Sequence, residues 1–131
     1  MIEQDAISSK INEIEEYVIQ VCGIREKEKF YTSRQHHYVH ARWLYFYAIR
    51  IFTHMTYANM VETIGERFGI KTEHAFIYAT NRMMAMIDVF YEWGQRWRDV
   101  QQRFKVKSPI DKKQKVIIIA PKDIDIEVRK E

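Results

Sequence analysis

The 131 residues carry 47% hydrophobic and 30% charged side chains, a balance that excludes wholesale disorder and fits one compact domain better than two. Four Gly and two Pro are too few for the many turns of an all-β sandwich or barrel, so long helices are expected. The net charge of +3 is modest but unevenly spread: from Lys29 to Val61 there is no carboxylate, while Lys29, Arg34, Arg42 and Arg50 stand beside His36, His37, His40 and His54. A surface without acids concentrates positive potential, as a polyanionic partner requires, and the competing reading is a buried aromatic helix with no room for acids.

In chain order, Ile7, Ile11, Ile14, Val18 and Val21 recur at spacings of three and four, which predicts an amphipathic helix over 5–22 with Gly23 at its C-terminal cap. The stretch Ile24 to His37 lacks periodicity and reads as an extended connector. Leu44, Tyr45, Ala48, Ile49 and Phe52 predict a second helix over 38–54. Thr56 is placed to cap a third, short helix through Met60, Ile64 and Phe68, stopped by Gly69. Thr72 is the N-cap expected for a fourth, whose apolar face runs from Phe76 through Met83 and Phe90 to Phe104, with a kink or weak point at Gly94. Beyond Ser108 and Pro109 come a lysine cluster and two β-rich runs around Pro121, Lys122 and Asp123, which predict a hairpin or edge strand. The expected division is thus a helical domain over 1–107 and a basic, β-rich tail over 108–131.

One cysteine, Cys22, forms no disulfide within the chain and supplies no thiolate zinc site alone; it fits a reducing interior, and the cytoplasm is the expected location. Neither an N-terminal targeting segment nor a membrane span is expected. His36, His37 and His40 are not expected to hold metal, because no nearby Cys or carboxylate completes a tetrahedral site; contact with phosphate suits them better. Trp43, Tyr45, Phe46, Tyr47 and Phe52, together with Met83, Met84 and Met86, are expected in the core or at an interface. Arg96, Arg98, Arg103, Lys105 and Lys107 either extend a basic footprint or line a solvated helix face. No Ser-His-Asp, Cys-His or paired-acid arrangement stands out, so catalysis is not expected.

A short helix, a glycine turn and a helix beginning near residue 72 have the layout of a helix-turn-helix. The stretch Ile64-Gly65-Glu66-Arg67-Phe68-Gly69-Ile70-Lys71-Thr72-Glu73-His74-Ala75, continuing to Ala79, resembles the signature of the C-terminal DNA-binding domain of the bacterial replication initiator DnaA, I-G-x-x-F-G-G-R-D-H-T-T-V-x-H-A. Ser33-Arg34, Ala41-Arg42 and Ala48-Ile49-Arg50 resemble that domain's basic loop and long helix, in the same order, so that the similarity covers about residues 7–88. The resemblance implies a mainly α, Trp-repressor-like helix-turn-helix bundle that grips duplex DNA twice. Arg34 would enter the minor groove, Arg42 would lie on the DNA side of the long helix, and Lys71, Thr72, Glu73, His74 and Ala75 would read the major groove. Trp43 stands where the family has glutamine, and the changed residues at 72–75 imply a different target sequence. About four residues look inserted near Asn59 to Glu62.

The chain lacks the G-x-x-x-x-G-K-[ST] loop of the initiator's ATPase part, so a stand-alone DNA-binding factor acting in replication or transcription control, with no nucleotide or other cofactor, is expected. A protein-interaction module that has lost DNA binding is the alternative. In either case the tail strands offer an edge for a homodimer.

Overall fold

Helices account for nearly all of residues 2–104, the part of the chain that a computed structural model describes. Helix α1 (Ile2–Val21) buries Ile11, Ile14 and Val18. It ends as the glycine spacing requires. Gly23 adopts φ 68°, its N–H donates to the Gln20 carbonyl, and the Ile24 N–H reaches back to Ile19 at 3.0 Å, which satisfies two otherwise orphaned carbonyls. Ile7, on the same predicted stripe, is instead exposed at the mouth of an open groove between α1 and the third helical region.

The expected extended connector over 24–37 contains a helix. Helix α2 (Lys27–Thr32) is only six residues long, and a single fully buried side chain, Phe30, anchors it. Phe30 meets the rings of Tyr45 and Phe68 edge-on at 5.8 and 5.7 Å. Burying such a side chain contributes about 2–3 kcal/mol, and one anchor leaves no periodic pattern to read.

Helix α3 (His36–Thr53) is the central element, packed by α1, α2 and two later helices. Its interior stripe, Ala41, Leu44, Tyr45, Ala48 and Ile49, is buried with Phe46. The helix starts two residues before the expected boundary, which brings His36 into its first turn. The chain then enters α4 (Tyr57–Met60), where the Thr56 hydroxyl accepts from the Asn59 N–H at 3.1 Å, the predicted cap.

Residues 57–68 continue without a break. One turn of wider π winding, Val61–Gly65, separates α4 from α5 (Glu66–Phe68). A π turn takes up surplus residues within a helix, and this one begins inside the stretch that looks inserted relative to the initiator spacing. The turn that follows needs both its glycines. Gly69 takes φ 70°, and the Ile70 N–H donates to the Gly65 carbonyl at 2.8 Å. A Cβ on Gly65 would stand 2.5 Å from the Ile70 carbonyl oxygen, a backbone atom that cannot move aside alone.

Helix α6 (Glu73–Val89) buries Phe76, Ala79, Thr80, Met83 and Met86, while Met84 is exposed, so the methionines expected in the core or at an interface divide between the core and the surface. The Tyr57 hydroxyl and Thr80 Oγ1 lie 2.9 Å apart and tie α4 to α6. The long fourth helix expected to run to Phe104 is two helices. The break falls at Phe90, in extended conformation, and α7 (Tyr91–Phe104) turns back to bury Trp93, Trp97, Val100 and Phe104 against α1 and α3. Gly94 does not kink a helix. Its missing side chain lets α7 approach the Ile87 carbonyl, which a Cβ would meet at 3.1 Å.

The expected strand tail at 108–131 lies outside the described residues, as do Lys105 and Lys107. No helix among those described is long and apolar enough to cross a membrane.

Candidate nucleic-acid interface

The two segments expected to grip DNA leave one aromatic junction. The rings of Tyr31 and Phe68 lie 5.3 Å apart; Arg34 follows three residues after Tyr31, and Lys71 three residues after Phe68. Arg34 is exposed in the α2–α3 loop, where Ser33 shapes the turn by accepting from the Gln35 N–H at 3.1 Å. Lys71, Thr72, Glu73, His74 and Ala75 are all exposed at the start of α6. Thr72 occupies the N-cap position with extended backbone, but its side chain makes no capping bond.

Arg42 is placed differently from Arg34. It is half-buried, and Nη1 donates to the Phe30 carbonyl at 3.0 Å, tying α3 to the end of α2. Burial pulls its guanidinium below its usual pKa, and at neutral pH it still carries its charge. The carbonyl bond makes Arg42 a brace for the loop that carries Arg34. Trp43 is half-buried too, with its ring 5.7 Å from Tyr78 of α6 and 5.1 Å from His40.

The other cations of the acid-free segment are occupied. Lys29 pairs with Glu26 at 2.7 Å, and Arg50 donates to the Met55 carbonyl while lying over the Tyr57 ring. Of the remaining basic groups in that segment, Arg34, His36, His37 and, at the C-terminal end of α3, His54 are exposed, while His40 is half-buried. The sequence reading missed two members of this face. Tyr78 and Arg82 sit one and two turns beyond His74 on the same ridge of α6 and are both exposed. Their spacing of four from His74 was a legible signal, eclipsed by the apolar pattern of the same helix.

Among the described residues, the ion pairs join Lys27 and Arg67 to Glu15, Lys29 to Glu26, and Arg96 to Glu92. Arg34, Lys71 and Arg82 belong to none of them. Glu73 is the acid within this row, next to Lys71 and His74. On α7, Arg96 lies over the Trp93 ring, Arg98 donates to Gln95, and Arg103 lies near the Phe104 ring, so these arginines dress a helix face.

No group of three or more His, Cys, Asp or Glu side chains among the described residues could hold a metal ion. Cys22 is buried, and burial pushes its thiol up to about 12, partly opposed by Arg96, which leaves no thiolate at neutral pH. No protein-family model, curated protein or solved structure matches the chain.

Proposed function

We propose that the protein binds duplex DNA through the face formed by the α2–α3 loop, the first half of α3 and the start of α6. The observation that carries this reading is electrostatic: Arg34, Lys71 and Arg82 stand exposed and outside the ion pairs of the described residues, on the elements a helix-turn-helix presents to DNA. Exposed basic groups of this kind contribute little to stability, whereas they displace condensed counterions when they meet phosphate. Arg34 contacts the minor groove from its loop, and residues 71–75 read base edges with the different chemistry of Thr72, Glu73, His74 and Ala75. The resemblance to the initiator's DNA-binding domain adds to this reading, with a role in replication or transcription control.

The test is binding to random duplex DNA across a salt series, followed by selection from a random pool. Three to five phosphate contacts give a slope of roughly −0.9 each in log K against log salt. Absence of binding at low salt overturns the proposal. A protein-docking role is the second reading, favoured by the exposed side chains of Val89, Phe90 and Tyr91 at the α6–α7 junction. A salt-insensitive interaction would point there.

A further inference from the structure

His36 and His40 lie one turn apart on α3 with their rings stacked at 5.7 Å. His40 is flanked by the rings of Trp43 at 5.1 Å and Trp93 at 5.8 Å, and Tyr78 meets Trp43 edge-on at 5.7 Å. Arg82 stands one turn along α6 from Tyr78, near enough for its charge to act on His40. Two helices thus bring two imidazoles and a guanidinium to one spot, walled by indole rings.

We propose that His36, His40 and Arg82 form a phosphate clamp that holds one backbone phosphate of the duplex, outside the row Lys71 to Ala75, and takes up a proton as it closes. The proposal rests on the DNA-binding reading and adds to it a named contact and a pH dependence. Burial is the first influence on His40 and disfavours its charged form; the charges acting on it, His36, Arg82 and His37, are all basic and push the same way. From α7 the nearest charged groups are Arg96 and Glu92, which pair with each other at 2.7 Å over Trp93. Without an anion, protonating His40 adds a positive charge close to that of Arg82, which opposes it. A phosphate diester removes that repulsion and returns the proton to the imidazole. The indole walls exclude water from one side of the site and strengthen the charge-assisted bonds.

The clamp is tested with two probes on the full chain. In the first, imidazole resonances are followed against pH in chloride and in inorganic phosphate at equal ionic strength. Phosphate should raise the His40 titration midpoint in the wild type and leave it unmoved in Arg82→Gln. An unchanged wild-type midpoint overturns the clamp. In the second, duplex affinity is measured against pH. It should rise about tenfold per pH unit of acidification above the imidazole midpoint for one proton taken up, and Arg82→Gln and His36→Gln should flatten this rise. Tight duplex binding that ignores pH and both substitutions removes the clamp and leaves the DNA-binding reading standing. Phosphate-dependent titration without any duplex binding does the reverse, leaving an anion site on a protein that does not bind DNA.

Discussion

Two basic regions of this small protein treat charge in opposite ways. At the junction of α1, α2 and α5, the almost wholly buried Glu15 carboxylate accepts from Arg67 Nη1 at 2.7 Å and from the Tyr31 hydroxyl, with Lys27 at 3.6 Å. The Tyr45 ring packs at the same corner, its hydroxyl buried without a hydrogen-bond partner among the described residues. Around His40, the charges that act on it are all basic, and Glu92, the carboxylate near Trp93, is paired with Arg96. The first region holds helices together, so its charges are paired and sheltered. In the second the cations remain available to a ligand, at some cost to the free protein. Proximity in sequence does not separate the two classes: Lys29 is paired, while Arg34, five residues on, joins no ion pair among the described residues.

The contrast is broken most severely at the aromatic core of the first region. Phe30→Ala should cost about 4 kcal/mol of unfolding free energy, measured by urea denaturation, because α2 has no other buried anchor. Gly65→Ala, which drives a Cβ into the Ile70 carbonyl, should cost about 3 kcal/mol in the same measurement and disturb the helix-turn-helix angle. Glu15→Gln should cost about 2 kcal/mol, less than a fully buried pair because Arg67 stays partly solvated, while duplex affinity at saturating folded protein is unchanged.

The second region should respond in the opposite sense. Arg34→Ala should leave stability within about 0.5 kcal/mol and lower duplex affinity about tenfold, read by fluorescence anisotropy. Arg42→Ala lies between the classes, weakening both the loop and the binding, since its guanidinium holds the Phe30 carbonyl. The smallest effect is on pH. His40 is held below its ordinary pKa, so the unfolded chain binds the proton more readily; its contribution to stability is present above about pH 6.5 and is lost as pH falls through the folded value. Thermal midpoints of the free protein should therefore drop slightly on acidification, and Arg82→Gln should reduce that drop. A stability that rises on acidification would contradict the arrangement around His40.

Most of the helical architecture was legible in the residues. The stripe Ile11, Ile14, Val18, the Thr56 cap and the stops at Gly23 and Gly69 each follow from local rules of spacing and capping, and each stands where it was expected. Helix α2 and the break at Phe90 were not legible, because one buried ring and one extended residue leave no periodic trace. On the candidate face, the loop arginine and the start of α6 were readable from their pattern. Arg82 was not, since its meaning depends on which residue of α3 it meets.

What the amino-acid order determined by itself is local: where helices begin and stop, which stripe of each is apolar, and that a long segment carries no acid. Only the tertiary structure decided which cations stay exposed. Lys29, Arg42 and Arg50 found partners on neighbouring turns or helices, while Arg34, Lys71 and Arg82 join no ion pair among the described residues. The physical reason is that a charge is spent or kept by what lies within a few ångströms of it, and those distances are set by helix packing rather than by position along the chain.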